Sequence, residues 1–375
     1  MKELTMKELL LRVSMLMCVS LFALAGGATT DPVDPRIAEI DGLMTAYEHA
    51  GTFSGVVLVA EDGDVIYERA VGLANHEWAV PNGLDTRFRI ASVSKLFTQV
   101  LIRQLCEDGA LSLNDTLADA LPGYAGPDAD RITVRHLLEH RSGIVNESAV
   151  SDLDLIERDY YTRERMLDLI AGYELALPPG TRYIYSNFGY YLLGAIIEAV
   201  SGQTYTELLQ ERICRPAGMS DTFPEVTAEI MERRASGHWL DDEGILTIDV
   251  PLDMSFVFGY GQLVSTARDL LLFEQALRAE QLLNSANTRA VFTLEAEYRP
   301  LGDGQRRAYA FESGPASING FRAGLHSYLR EGRVVIVLMN VRGPGAVPVF
   351  DVGRNLAAIL YDAPYDMPLV GAPSE

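Results

Sequence analysis

Ser92-Val93-Ser94-Lys95 is the stretch on which the reading of this chain turns. It lies between the apolar lead-in Phe88-Arg89-Ile90-Ala91 and the helical run Leu96-Phe97-Thr98-Gln99-Val100-Leu101. A serine and a lysine three residues apart at a helix start lie on one face, so the amine reaches the hydroxyl. The serine sits where the free backbone N–H groups of the first turn point outward. A hydroxyl, a nearby base and donors for an oxyanion can together make a nucleophile. Alone, the pair is better read as a capping serine and a surface lysine; the rest of the chain reverses that.

Tyr185-Ser186-Asn187 is the second piece. It follows Leu177-Pro178-Pro179-Gly180 and opens the helical run Phe188 to Gly194. Ser186 or Asn187 can be a simple helix cap. The alternative places the Tyr185 phenol and the Asn187 amide in a cleft beside Ser92 and Lys95. A phenolate near an ammonium can accept a serine proton, because the positive charge favours its ionised form. The amide can hold a substrate carbonyl.

With 375 residues, the chain can bury a large core. Its hydrophobic content of 48% and charged content of 22% are those of an ordinary globular protein. A net charge of −21 argues against a nucleic-acid partner. The acidic residues are spread along the sequence, as on a solvated surface. Lys2, Lys7 and Arg12 precede the apolar run Val13 to Ala25, and Ala23-Leu24-Ala25 and Gly26-Gly27-Ala28 follow as small-residue cleavage sites. This is a signal-peptide pattern, with cleavage expected after Ala25 or Ala28 and an exported, periplasmic or secreted protein. The apolar run is short for a membrane span. Met17 before Cys18 is bulky where a lipobox needs a small residue. Cys106 and Cys214 remain in the mature chain; each sits in an apolar helical context that suits a buried free thiol, and a single bridge stays open.

Helices are expected at residues 35–50, 92–108, 133–140, 161–171, 186–200, 204–213, 270–277 and 349–361, with a long helical stretch after Gly109. Strand-like runs lie at Phe53–Ala60, Val65–Val71, Gly324–Arg330 and Arg333–Asn340. Thr266 and Asp269 stand at capping-box spacing. Strands at both ends with helices between them imply one antiparallel sheet built from the two chain ends, flanked by helices, with a mostly helical region inserted. The expected organisation is a signal peptide at 1–25 and a single domain at 33–365. Its α/β part would be about 33–100 and 286–365, and its helical part about 101–285. The loop from Glu147 to Asp159 is acidic and poorly patterned, a candidate border of a cleft.

Four landmarks in order resemble the serine β-lactamase and penicillin-binding-protein superfamily, in the branch of class C β-lactamases, D-alanyl-D-alanine peptidases and related esterases. They are Ser92-Val93-Ser94-Lys95, Ile132 through Ile144, Pro179-Gly180 through Leu193-Gly194, and Gly261 through Leu270. The resemblance spans roughly residues 40–362. It implies the α/β (α+β) β-lactamase/transpeptidase-like fold. Ser92 would be the acylated nucleophile, Lys95 would assist its deprotonation, Tyr185 would be base or proton shuttle, and Asn187 would bind substrate. The oxyanion donors would be backbone N–H groups of Ser92 and of a sheet-edge strand. No metal or organic cofactor is implied. His136 and His140, four apart on a helix, have the spacing of a metal pair, but they fall in a landmark of the family and are assigned a structural role.

The family's third motif, Lys, His or sometimes Trp two residues before Gly, is altered. Aligning Gly324 and Ser327-Tyr328 with the family's next strand puts Ile318 in the first position, Gly320 at the glycine and Phe321 as the oxyanion donor. Arg322-Ala323-Gly324 is a second alignment, which shortens the turn. In the family the cation helps bind a substrate carboxylate; isoleucine neither carries charge nor donates a hydrogen bond. That argues against efficient β-lactam or D-alanyl-D-alanine hydrolysis, whereas an uncharged ester needs no such anchor. Two functions follow: an exported serine hydrolase acting through an acyl-enzyme, esterase-like, on a small ester or amide; or a catalytically impaired pseudoenzyme that binds or regulates.

Overall fold

A computed structural model describes residues 34–368, apart from Asp152 and residues 295–296, 301–305 and 311–315. The expected signal peptide, its cleavage sites and Cys18 lie outside the described residues. The elements that build the site are helix α1 (Pro35–Ala50), strands β1 (Gly55–Glu61) and β2 (Asp64–Val71), and helices α2 (Ser94–Glu107), α3 (Asn187–Ser201) and α4 (Ala267–Arg278). Strands β3 (Glu297–Pro300), β4 (Arg306–Ala310), β5 (Ala316–Ile318), β6 (Phe321–Tyr328) and β7 (Arg333–Met339) follow, and helix α5 (Val349–Leu360) ends the series.

The sheet is antiparallel and joins both chain ends. Its order is β3-β4-β6-β7-β1-β2, with β5 paired to β6 beside it. The junction is β1 on β7, from Gly55 opposite Met339 to Glu61 opposite Arg333. Side chains alternate across it, as a period of two requires. Val57 and Val59 join Val335, Val337 and Met339 against Ile40, Leu43 and Met44 of α1 and Val352 and Leu356 of α5. Val56, Leu58, Val334, Ile336 and Leu338 face the other way, into the larger core with α2, α3 and α4. Burial on both faces explains why Gly55-Val56-Val57-Leu58-Val59-Ala60 reads as a continuous apolar run.

Helix α2 is buried along nearly its whole length. Its polar residues are tolerated because they satisfy neighbouring backbone. Ser94 Oγ accepts the Leu263 N–H (3.3 Å), and Thr98 Oγ1 donates to the Gly259 carbonyl (2.6 Å). The long helical stretch expected after Gly109 is not formed. Among residues 110–132 only Leu117–Ala120 is helical, because Pro122, Gly123, Gly126 and Pro127 punctuate the segment. The inserted region also carries short strands at Phe223–Pro224, His238–Leu240, Leu246–Ile248 and Leu263–Ser265. Thr266 caps α4 by accepting the Asp269 N–H (3.2 Å). Asp269 turns its carboxylate to the Asp221 N–H and the Thr222 hydroxyl instead. Cys106 and Cys214 are free thiols, Cys214 fully buried.

Candidate active site

The backbone enters the Ser92 turn through Ala91 in the left-handed region, at φ +48°. That conformation costs a residue with a Cβ about 1–2 kcal/mol. Ala91 is buried, so surrounding packing holds it there. Residues Ala91–Val93 form a 3₁₀ turn and α2 begins at Ser94, so Ser92 stands just ahead of the helix. Lys95 is 5% exposed, and its Nζ donates to Ser92 Oγ (3.0 Å) and to the Tyr260 carbonyl (3.3 Å). The ammonium position lies 4.9, 5.2 and 5.6 Å from the ring centroids of Tyr185, Tyr260 and Tyr190, within cation–π range of all three.

Tyr185 Oη lies 2.9 Å from Ser92 Oγ. With Lys95 donating to the serine oxygen, the serine proton is left to point at the phenol oxygen. The arrangement therefore offers a route for that proton, which is what a hydroxyl needs to become a nucleophile. The Tyr185 ring is set by His140, whose imidazole lies 4.6 Å from it and 4.9 Å from Tyr190. His140 itself sits at φ +53°. Its Nδ1 accepts the Ser186 N–H (3.1 Å), which fixes the acceptor nitrogen. Burial, then the nearby Lys95 charge, pulls the imidazole pKa down to about 3. His136 does separate work: it closes a capping box with Thr133. Among the described residues no group of three or more His, Cys, Asp and Glu is gathered as for a metal ion.

Ser186, not Asn187, caps α3, accepting the Gly189 N–H (3.0 Å) while donating to the Val145 carbonyl (3.0 Å). Asn187, the first helical residue, takes its backbone N–H to Asn146 Oδ1 (2.8 Å) and its Nδ2 to Glu147 Oε1. Glu147 was not singled out by the sequence motifs. Its only signal was membership of the acidic, unpatterned loop. Burial raises its pKa, more than the Asn187 hydrogen bond and Lys95 lower it.

The third-motif region is a tight hairpin. Ile318 pairs with Phe321 across Asn319-Gly320, and Gly320 has φ +80°. A side chain there would be strained and would meet Gly237 Cα at 2.3 Å, so only glycine fits. Asp249 accepts the Gly320 N–H (2.6 Å), and Glu157 accepts from Asn319 Nδ2 (2.8 Å). Ile318 is buried, with its Cδ1 beside Gly261, the residue after the Tyr260 carbonyl that Lys95 contacts. Phe321 belongs to the same buried cluster. Arg322 points elsewhere: its guanidinium donates to the carbonyls of Gly343, Ala346 and Val347.

A profile of the Beta-lactamase family matches residues 39–358. The chain belongs to that family. Penicillin-binding protein 4* of Bacillus subtilis (strain 168) is 30% identical over 267 residues, 67% of this chain and 58% of the relative. The chain thus spans less than two thirds of that relative's length. A penicillin-binding protein from Bacillus halodurans has the same fold with a TM-score of 0.70 at 26% identity, covering 85% of this chain and 98% of that one. EstCE1, a hydrolase with promiscuous acyltransferase activity, has a TM-score of 0.70 at 22% identity, covering 86% and 98%; at that identity it bears on the fold alone. The Beta-lactamase-family match encloses Ser92, Lys95, Tyr185 and the β5–β6 hairpin.

Proposed function

We propose that this chain is an exported serine hydrolase that works through an acyl-enzyme on Ser92 and favours esters over carboxylate-bearing β-lactams and D-alanyl-D-alanine peptides. The observation that carries the reading is the double hydrogen bond at Ser92 Oγ, 3.0 Å from Lys95 Nζ and 2.9 Å from Tyr185 Oη. In the reading, Ser92 Oγ attacks the substrate carbonyl carbon as its proton passes to Tyr185, held as phenolate beside Lys95. Backbone N–H groups of Ser92 and Phe321 stabilise the oxyanion. The carbon–oxygen bond to the leaving alcohol breaks and the Tyr185 proton goes to that alcohol. Water then attacks the acyl-enzyme, giving its proton to Tyr185 and returning it to Ser92 as the acid departs. Asn187 binds substrate beside the nucleophile.

The ester preference rests on Ile318, which stands buried in the hairpin where a cation would anchor a carboxylate. Export rests on the pattern of residues 2–28; among the described residues no helix is long and apolar enough to cross a membrane. The test is a fluorophosphonate probe on the wild type and on Ser92→Ala, with p-nitrophenyl esters, nitrocefin and a D-alanyl-D-alanine peptide as substrates. Labelling and ester turnover that vanish in Ser92→Ala are expected. An unlabelled wild type with no turnover would make the chain a pseudoenzyme, and better turnover of nitrocefin than of neutral esters would overturn the specificity.

A further inference from the structure

The hairpin that supplies the sheet-edge oxyanion donor of the proposed reaction hangs from very little sheet. Strand β5 runs only from Ala316 to Ile318, and among the described strands it pairs with β6 alone. It lies against the Ser92 turn. A strand that short is weakly held by its own ladder, yet a catalytic donor has to stay within about 0.5 Å of its working position. Contacts other than strand pairing must fix the turn at Asn319-Gly320.

A buried ion pair supplies them. Asp249 Oδ2 accepts the Gly320 N–H (2.6 Å) and Arg342 Nε, while Oδ1 accepts the Val250 N–H (2.7 Å) and Arg342 Nη2 (3.3 Å). The Asp249 side chain is only 5% exposed. Burial by itself would raise its pKa, but the hydrogen bond and charge of Arg342 and the two backbone N–H groups outweigh burial and hold it below the ordinary value. Arg342 is placed in turn by its short strand Val341–Arg342, which pairs in parallel with His238–Leu240, and by Trp239, whose ring centroid lies 5.3 Å from the guanidinium. The backbone is packed as closely. A Cβ on Gly237 would come within 2.8 Å of Gly320 Cα and 2.7 Å of the Phe321 ring, and the Asp249 N–H donates to the Gly237 carbonyl (3.3 Å). Asn319 Nδ2 donates to the Val250 carbonyl beside Asp249 (3.1 Å). Close contact keeps the turn from moving toward Gly237, and the hydrogen bonds to Asp249 and Val250 keep it from moving away.

We propose that Asp249, held by Arg342, is a positioning residue of the reaction: through the Gly320 N–H it sets where the β5–β6 hairpin presents its oxyanion donor to a carbonyl bound at Ser92. The proposal rests on the acyl-enzyme reading of Ser92 and extends it to a pair that acts only through the hairpin. A donor misplaced by about 1 Å costs on the order of 10²-fold in rate. The loss falls on the transition state rather than on substrate binding, because the oxyanion carries its full charge only there.

The experiment uses the full chain and three substitutions. Asp249→Asn keeps one acceptor for the Gly320 N–H and gives up the charge. Asp249→Ala gives up both. Arg342→Lys, at a half-buried position, keeps the charge and loses the two-pronged grip on the carboxylate. Glu61→Gln, which breaks the Glu61–Arg333 ion pair in the same sheet, is the control for lost stability. The readouts are kcat and KM for p-nitrophenyl butyrate, the rate and end point of fluorophosphonate labelling, and a thermal midpoint. In Asp249→Asn and Arg342→Lys both kcat and the labelling rate should fall about tenfold, and in Asp249→Ala about a hundredfold, with KM nearly unchanged. Labelling should still reach the wild-type end point, which shows that the chains are folded and that only the rate has suffered. Glu61→Gln should lower the midpoint and leave both rates alone. The assignment is overturned by an unchanged kcat in Asp249→Ala, by a loss that falls on KM, or by an equal loss of rate in Glu61→Gln. Failure of all three variants to reach the labelling end point would also overturn it, since the pair would then serve the fold and not the donor. A wild type with neither labelling nor turnover would instead overturn the acyl-enzyme reading beneath it.

Discussion

Replacing Tyr185 by phenylalanine removes one oxygen and leaves the rest of the ring's environment in place. The ring keeps its packing on His140 at 4.6 Å and its face toward Lys95 at 4.9 Å. What is lost is the 2.9 Å hydrogen bond to Ser92 Oγ, and with it the acceptor for the serine proton. A hydrogen bond to a charged group is worth roughly 1.5–3 kcal/mol, and a positioned proton acceptor contributes roughly 10²–10⁴-fold. At about 1.36 kcal/mol per decade the expected loss in kcat/KM is at least ~10²-fold. It should fall on kcat, because the bond serves the reacting oxygen and not the bound substrate. Stability should scarcely change: Tyr185 is 38% exposed, so its hydroxyl finds water in the unfolded and folded states alike. The assay is steady-state hydrolysis of p-nitrophenyl butyrate, with the rate of fluorophosphonate labelling and a thermal melt alongside. A Tyr185→Phe enzyme within about threefold of wild type in both rates would refute the proton path, because Lys95 alone would then suffice.

Ile318→Lys should raise the ratio of kcat/KM for nitrocefin to that for p-nitrophenyl acetate about tenfold, the value of one restored charged hydrogen bond; an unchanged ratio would mean that position 318 does not face substrate. Gly320→Ala should destabilise by about 2–4 kcal/mol, since it adds left-handed strain to a clash with the Gly237 backbone. A shifted urea midpoint at constant m-value would show it, and a wild-type midpoint would contradict the hairpin geometry. His140 gives a pH dependence. Its folded pKa of about 3 lies below the ordinary imidazole value of 6.5, so only the unfolded chain takes up its proton between those values. Its contribution is fully present above pH 6.5 and drains away as pH falls toward 3, at about 1.4 kcal/mol per pH unit. His140→Asn, which tolerates the left-handed backbone, should flatten the stability-versus-pH curve in that window; identical slopes would put the acid sensitivity elsewhere.

The parts of this protein that were legible in its sequence are those whose signal is local. Ser92 and Lys95 share a helix face by spacing alone. The β1 and β7 strands announce themselves as apolar runs because both their faces are buried. Helix ends at Thr133, Ser186 and Thr266 follow from cap chemistry. What was not legible depends on contacts distant in sequence. Glu147 reaches Asn187 across 40 residues, and the Tyr260 carbonyl reaches Lys95 across 165. Neither position carries a periodic pattern. The helix expected after Gly109 fails for a different reason: Pro122, Gly123, Gly126 and Pro127 interrupt the segment, so only Leu117–Ala120 is helical there. The left-handed Ala91 had no signal, since alanine shows no preference for that conformation and only packing imposes it.

The buried lysine explains why so much of this site lies outside the motifs. A lysine as buried as Lys95, 5% exposed, requires replacement for the lost hydration of its ammonium. Here the replacement comes from four directions: the Ser92 hydroxyl, the Tyr260 carbonyl, the faces of three tyrosine rings and the field of Glu147. Each constrains its neighbours in turn. Tyr185 and Tyr190 pack tilted against one imidazole, which is kept neutral by its burial and, secondarily, by the Lys95 charge beside it. Glu147 must lie close enough to act on the ammonium, and that location also brings it to the Asn187 amide. A four-residue motif therefore requires a matching environment drawn from four separate segments. The carboxylate whose charge helps to hold Lys95 is the same group that accepts the Asn187 amide.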